Sequence, residues 1–482
     1  MDAFIAHWWY LYGAAQELLE TYWPGIVAAS GFVLAFLFST HAMLHKREAR
    51  SAAAWTGLIW LVPFIGSLLY VLIGVNRVQR RAHELGTVSL ELMELCPTVQ
   101  PRPGPPHQHS LAELGNRLTG LPLLPGNHLD VYEAGEAFEL MLNAVDAAHH
   151  SVYLATYIFG NDAAGKRLID ALGRACRRGV KVRVLVDGLG SLYSFPTAMW
   201  RLRHAGVPAA RFLYSLSPLR MSYMNLRNHR KVMVVDGQLG FTGGMNIRAG
   251  YLKQPATLHD VHLSVEGPVV EHLLKSFVAD WQFTTGETLE AVYRGPFGVG
   301  TALARGISAG PDSDVGKRRL ILLAAIGSAQ RDVRIVTPYF VPDQALLTAL
   351  SLAALRGVRV QVVLPERNNL RVVQWASTHV LDWLVRDGVE LYFSAPPFDH
   401  AKLMTVDSSW SLVGSGNWDA RSLRLNFEFD LECYGDEMAG RLNRLIDRRL
   451  DQARLVSLAE LCGQSYLRRL RNAFCYLLEP YL

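Results

Sequence analysis

The sequence is short of charge. Only 19% of its 482 residues are Asp, Glu, Lys or Arg, while 50% are hydrophobic. That balance argues that part of the chain lies in lipid. The shortage is concentrated, since no charged residue occurs from Thr21 to His45 and none from Ser51 to Asn76. Each run exceeds the ~20 residues that cross a bilayer as a helix. Trp23, Trp55, Trp60 and Tyr70 lie near or within them, as aromatic residues do at membrane interfaces. The pair predicts an N-terminal α-helical membrane hairpin rather than two buried core helices. Pro63 and Gly66 leave open a kinked or re-entrant second segment. A cleavable signal peptide is not expected, because residues 1–20 are acidic rather than basic and the apolar run starts late. Lys46, Arg47 and Arg50 precede the second segment and Arg77, Arg80 and Arg81 follow it. Both its ends are thus drawn to the cytoplasmic side, and the face that holds the rest of the chain stays open.

Cysteine chemistry is lacking too. Cys96, Cys176, Cys433, Cys462 and Cys475 are odd in number and have no Cys-x-x-Cys spacing, so neither a disulfide framework nor a zinc site is expected. A third absence concerns acids, for there is no Asp or Glu from Gly188 to Val235. Arg201, Arg203, Arg211, Arg220, Arg227, Arg230 and Lys231 all fall in that stretch, which should attract an anion. It also holds Met199, Trp200, Phe212, Tyr214, Met221, Tyr223 and Met224. The mixture fits either a surface for anionic headgroups and acyl chains or plain core packing. Prolines crowd residues 96–126 and predict an extended linker, in which His107 and His109 read as solvated loop residues rather than metal ligands.

Beyond the linker the chain repeats itself. Helical periodicity over Ala137–Ala148, a strand over Val152–Phe159, a helix over Ala164–Arg177 and a strand over Val180–Val186 make the first copy. Leu320–Ala329, Val333–Phe340, Gln344–Leu355 and Val358–Leu364 follow the same order, and Arg178-Gly179-Val180 is echoed by Arg356-Gly357-Val358. Alternating strands and helices imply an α/β sheet in each half.

Each unit is followed by one polar pattern. Counted from the histidine, Lys stands at +2, Asp at +7, Gly at +14 and Asn at +17 in both copies: His229, Lys231, Asp236, Gly243 and Asn246, then His400, Lys402, Asp407, Gly414 and Asn417. Alternation along a strand would put His and Lys on one face. Two histidines with two lysines and two asparagines suit a phosphodiester. A neutral imidazole can attack phosphorus and a protonated one can serve the leaving alkoxide. Lysines and asparagines supply fixed charge and donors where a divalent metal ion would otherwise act, so no metal and no cofactor is expected. An attacking imidazole needs a carboxylate on its other nitrogen. Glu428, at +28 from His400, is the expected partner of that histidine, and Asp260, at +31 from His229, its counterpart after a small insertion. Asp236 and Asp407 belong to the catalytic motif but precede turns, and are expected to anchor loops or pair with lysine rather than to act as acids or bases.

Asn228-His229-Arg230-Lys231 through Gly243-Gly244-Met245-Asn246, and His400-Ala401-Lys402 through Gly414-Ser415-Gly416-Asn417, resemble the paired HKD motifs of the phospholipase D superfamily. Thr337-Pro338-Tyr339-Phe340-Val341-Pro342-Asp343, Arg421-Ser422-Leu423, Asn426-Phe427-Glu428 and the hydrophobic hairpin resemble its bacterial cardiolipin synthases. The resemblance implies two α/β repeats forming a pseudo-twofold catalytic body with one site at their interface. The expected layout is an anchor over 1–85, a linker over 86–128, and repeats over 129–310 and 311–482, the last ending in an amphipathic helix near Tyr466–Leu478. It also implies His229 as nucleophile and His400 as general acid and then base. Phosphatidylglycerol would be the substrate, and a bilayer rather than nucleic acid the partner. The location would be the bacterial inner membrane, crossed more than once. Hydrolase and transferase use the same residues, so the motif leaves the acceptor open among phosphatidylglycerol, phosphatidylethanolamine, another alcohol and water.

Overall fold

The structure, a computed structural model, describes residues 2–46, 49–74, 104–213, 226–253, 256–296, 298–311, 314 and 316–479. The N-terminal helices form one compact unit and the catalytic body another.

In the N-terminal unit the helix Asp2–His45 contains one stretch, Glu20–His45, long and apolar enough to cross a membrane. The second apolar run does not form the expected span. It breaks at Val62 into the helices Ala49–Leu61 and Pro63–Leu69, because the residue before a proline is driven out of the helical region and Pro63 starts a new helix at its first turn. Val62 accordingly has φ −137°. Gly66 lets the short helices close on each other, since a Cβ there would sit 2.6 Å from the Leu58 carbonyl oxygen. Among the described residues only the first run is a candidate to span a bilayer, and the multi-pass expectation is withdrawn. Arg47, Arg77, Arg80 and Arg81 lie outside the described residues.

The body is built on one large sheet. Its first repeat contributes β1 (Leu124–Glu133), β2 (Ser151–Thr156), β3 (Lys181–Asp187), β4 (Ala209–Phe212), β5 (Arg227–Asn228), β6 (Val232–Val235), β7 (Leu239–Gly243), β8 (Leu258–His259) and β9 (Val261–Glu266). The second contributes β10 (Ala302–Ala309), β11 (Asp332–Val336), β12 (Phe340–Val341), β13 (Arg359–Pro365), β14 (Glu390–Ser394), β15 (Phe398–Asp399), β16 (Leu403–Val406), β17 (Trp410–Gly414), β18 (Trp418–Asp419), β19 (Asn426–Tyr434) and β20 (Ala453–Leu455). In the large sheet the strand order β4-β3-β2-β6-β7-β9-β1 meets its mirror, β10-β19-β17-β16-β11-β13-β14, at the β1–β10 pair, while β12 with β18 and β15 with β8 form separate two-stranded sheets. β10 therefore belongs with the second repeat, so the boundary expected at 310 moves in front of Ala302. Val, Leu and Ile on β2, β3, β11 and β13 are buried against the flanking helices, and each half has its own apolar core. That is how a strand covered on both faces reads in sequence.

The proline-rich linker is only partly a linker. Residues 86–103 lie outside the described residues, but Pro106–Thr119 is a helix whose Leu111 and Ala112, with Leu123 after it, are buried in the core of the second repeat. Proline at the first helical position starts a helix, its missing N–H costing nothing there. His107, expected in solvent, lies 3.4 Å from Asp407.

Candidate active site

His229 and His400 do not lie within strands. Each occupies the extended link between a two-residue strand and a four-residue one. The short strand pairs across the repeats: β5 runs parallel to β19, β15 parallel to β8. His229 N–H donates to the Phe427 carbonyl, and His400 N–H to the His259 carbonyl, both at 2.8 Å. Backbone pairing thereby carries each histidine into the opposite repeat.

This exchange overturns the expected pairing of histidines with carboxylates. Glu428, expected on His400, accepts from His229 Nδ1 at 2.9 Å. Asp260, expected on His229, accepts from His400 Nδ1 at 2.8 Å. Both carboxylates are fully buried. Spacings of +28 and +31 along the chain do not distinguish a partner in the same repeat from one delivered by a distant strand, and the parallel cross-repeat ladders decide it. With Nδ1 donating to a carboxylate, Nε2 of each ring keeps its lone pair.

Lys231 and Lys402 are buried beside the rings, and each ammonium turns back to the carbonyl of its own motif histidine, at 2.6 Å for Lys231. Lys402 Nζ also lies 2.8 Å from His400 Nδ1. Burial pushes both imidazoles down from 6.5 to about 4, opposed by the carboxylates and reinforced by the lysines. Burial likewise lowers Lys231 to about 7 and Lys402 to about 8. Burial alone would raise Glu428, yet His229 and Lys231 beside it hold it at about 2. Asp260 is held below its ordinary value by Lys402 and His400 against the same effect of burial. The result is a dry pocket with two neutral rings, two carboxylates and two ammonium groups that burial loosens from their protons.

Asp236 and Asp407 act as loop anchors. Asp236 accepts from the backbone N–H groups of His149, His150 and Ser151, and Asp407 from those of Gln330, Arg331 and Asp332. Both adopt positive φ, 54° and 53°, the left-handed turn geometry that Asp tolerates better than most residues. Neither pairs with the motif lysines. Asn246 Oδ1 accepts from Ile158 N–H at 3.0 Å, and its side-chain amide also bonds the Tyr251 hydroxyl. Asn417 is buried, and its Oδ1 has no partner among the described residues.

Several contributors were not singled out from sequence. Tyr157 and Tyr339 lie edge-on to His229 and His400, with ring centroids 5.0 and 6.1 Å apart. Arg230, between His229 and Lys231, is clamped by Asp280 and donates to the Glu428 carbonyl at 3.1 Å. Arg318 pairs with Asp430 and donates to the carbonyls of Gly416 and Asn417 at 2.7 and 2.8 Å. Tyr251, inside the insertion before Asp260, is buried with its hydroxyl 3.5 Å from Asp260. The sequence signals were an arginine between motif residues, an aromatic in the insertion and Tyr339 within the Thr337–Asp343 motif, which by itself assigns it no role at the site.

In the acid-free stretch, Met199 and Phe212 are core residues while Trp200 is half-exposed. Tyr214, Arg220, Met221, Tyr223 and Met224 lie outside the described residues.

Comparison with known proteins agrees with this geometry. The family described as "Cardiolipin synthase, PLD-like domain" matches residues 141–281 and 322–450, one segment per repeat. The family described as "Phospholipase_D-nuclease N-terminal" matches 33–74. The cardiolipin synthase of Geobacillus thermodenitrificans is 32% identical over 467 residues, 92% of either chain. Cardiolipin synthase A of Pseudomonas putida is 32% identical over 474 residues, 96% of this chain and 98% of its own. In fold, the chain is similar to the crystal structure of a phosphatidylserine synthase from Haemophilus influenzae Rd KW20, with a TM-score of 0.57 at 14% identity over 77% of this chain and all of the other. With one family segment on each half of the sheet and full-length relatives at this identity, the chain belongs to the cardiolipin synthase family of phospholipase D-like proteins.

Proposed function

We propose that the chain is a phosphatidyltransferase that makes cardiolipin and glycerol from two molecules of phosphatidylglycerol through a phosphohistidine on His229. The observation that carries this reading is the crossed arrangement of two buried His–carboxylate pairs flanked by Lys231 and Lys402. In the first step Nε2 of His229 attacks phosphorus, the bond to the glycerol oxygen breaks, and His400 gives that oxygen its proton. In the second, His400 takes the proton of a hydroxyl on another phosphatidylglycerol, whose oxygen attacks phosphorus as the P–N bond breaks.

Both rings are neutral at pH 7 in the free site, as the nucleophile requires. An anionic diester placed between the rings opposes burial and raises the pKa of His400, so the acid is charged by substrate binding itself. Lys231, Lys402, Asn246 and Asn417 supply charge and donors to the oxygens of the five-coordinate transition state. Exclusion of water disfavours hydrolysis to phosphatidic acid. The helix Glu20–His45 would hold the enzyme at the bacterial inner membrane, where these lipids lie.

The test is to incubate purified full-length protein with radiolabelled phosphatidylglycerol vesicles in EDTA and separate the lipids. Cardiolipin with free glycerol is expected. Phosphatidic acid alone would make the chain a hydrolase, and product only when phosphatidylethanolamine is added would change the acceptor.

A further inference from the structure

Two loops occupy equivalent places in the repeats, residues 188–197 after β3, the strand parallel to β2, and 366–370 after β13, the strand parallel to β11. Each touches the aromatic ring that packs on its histidine. Tyr193 lies edge-on to Tyr157, with ring centroids 6.3 Å apart, and Asn369 accepts from the Tyr339 hydroxyl at 2.9 Å. Each also turns large apolar side chains to solvent. Phe195 is 98% exposed and Leu192 and Tyr193 about half, while Leu370 is half-exposed at the end of the second loop, with Val372 partly exposed at the start of the helix Arg371–Arg386. A solvated loop has no reason to present such residues next to a buried site.

The C-terminal helix Tyr466–Tyr476 extends this surface. One side is docked on the helix Arg371–Arg386, with Cys475 buried, Tyr476 against His379 and Arg471 stacked 4.3 Å over Trp375. The other carries Leu467, Leu470 and Phe474, which are 75%, 54% and 64% exposed. Their i, i+3, i+7 spacing places them on one stripe. Exposed Arg468 and Arg469 border it, Arg367 and Arg371 border the neighbouring loop, and residues 466–478 include no acid. An apolar stripe flanked by Arg468 and Arg469, with the loop's Glu366 paired to Arg454, fits an anionic lipid bilayer.

We infer that the loops 188–197 and 366–370 and the C-terminal helix form a bilayer-docking surface around the mouth of the active site, which seats the body on anionic lipid so that substrates pass from the membrane to the histidines. The inference rests on the proposed lipid chemistry of that site and adds where lipid enters. These side chains touch neither the histidines nor the carboxylates, so the surface can be altered without altering the chemistry.

The test uses full-length protein and the triple variant Leu467→Glu, Leu470→Glu, Phe474→Glu, each reconstituted in long-chain phosphatidylglycerol vesicles or given short-chain phosphatidylglycerol as monomers. Vesicle turnover should fall at least about tenfold, as three side chains are lost from lipid, with monomer turnover unchanged. Equal losses on both substrates, or none on vesicles, would overturn the docking surface. If wild type turned over neither substrate, the proposed function would fail instead. As a second measurement, a polarity-sensitive fluorophore on Leu470→Cys in a Cys462→Ser background should be quenched by brominated lipid. An unquenched label, or one buried against a second copy, would overturn the inference.

Discussion

At the position after the motif glycine, the second repeat has Ser415, whose hydroxyl donates to Glu428 at 2.5 Å. The first has Gly244, where a Cβ would lie 2.1 Å from Asp260 Oδ1. No side chain fits there, and a hydroxyl comes instead from Tyr251 in the insertion, at 3.5 Å. Glu428 also accepts from Asn426. Asp260 accepts instead from the Val261 backbone N–H at 2.8 Å, so the carboxylate on His229 differs in being held by two neighbouring side chains. A phosphorylated imidazole carries positive charge, so the ring whose carboxylate is fixed by the Ser415 hydroxyl and the Asn426 amide is the one suited to form it. On the other side Lys402 sits against His400 Nδ1, which disfavours a lasting imidazolium and suits a ring that must give its proton away. Equal spacing in the two copies therefore does not mean equal roles.

The largest effects should come from the histidines themselves. His229→Ala and His400→Ala should each lower kcat/KM by about 10⁴ or more, but only one should abolish the covalent species. Prolonged incubation with phosphorus-labelled phosphatidylglycerol should leave label on His400→Ala protein, formed slowly without the acid and held without the base, and none on His229→Ala. Label on the latter would invert the assignment.

Next come the crossed partners, expected to cost about 10²- to 10³-fold each. Glu428→Gln should behave like loss of His229, with no labelled protein, and Asp260→Asn like loss of His400. In double-mutant cycles His229 should couple to Glu428 and be near additive with Asp260. Coupling of Glu428 to His400 instead would break the crossed arrangement.

That arrangement marks where the sequence stops being informative. The elements Ala164–Arg177, Gln344–Leu355 and their strands were legible because buried apolar runs at the two periodicities fix them locally. His229, Lys231, His400 and Lys402 were legible because a polar pattern at identical spacing occurs twice. The exchange of Glu428 and Asp260 was not, since it depends on two-residue strands pairing across the repeats, and no local pattern encodes such a distant contact. The prolines before residue 107 misled in another way. They were read as extended chain, although Pro106 opens a helix whose Leu111 is core.

The pH profile sharpens the comparison through the lysines. With both free rings near 4, kcat/KM, which needs His229 neutral and His400 charged, should peak near 4 and decline about tenfold per pH unit above it, and a second, steeper fall should begin above neutrality as Lys231, near 7, and then Lys402, near 8, lose their charges. Lys231→Met should remove the earlier part of that fall and leave the later. In kcat both limbs should move up, because bound diester favours every protonated form. Stability has its own sign. A histidine whose folded pKa lies below its unfolded value stabilises the fold fully above about 6.5, and that contribution is lost as pH falls towards about 4. Denaturant midpoints should therefore drop across the window in which activity still holds, and a midpoint that rises there would contradict the burial of neutral rings.

The smallest expected effect tests the asymmetry most directly. Ser415→Ala removes a short hydrogen bond to a buried carboxylate, worth about 1.5–3 kcal/mol, and should slow formation of the labelled protein by about tenfold or more. Tyr251→Phe removes a longer contact and should slow label formation and transfer to the acceptor alike, each only a few-fold, because His400 acts in both steps. If the two hydroxyls are interchangeable, both variants will lose the same factor in the same step. If the repeats have specialised, Ser415→Ala will cost the larger factor in the step that loads His229 and Tyr251→Phe a smaller one shared by both steps, because each hydroxyl reaches the ring only through its own carboxylate.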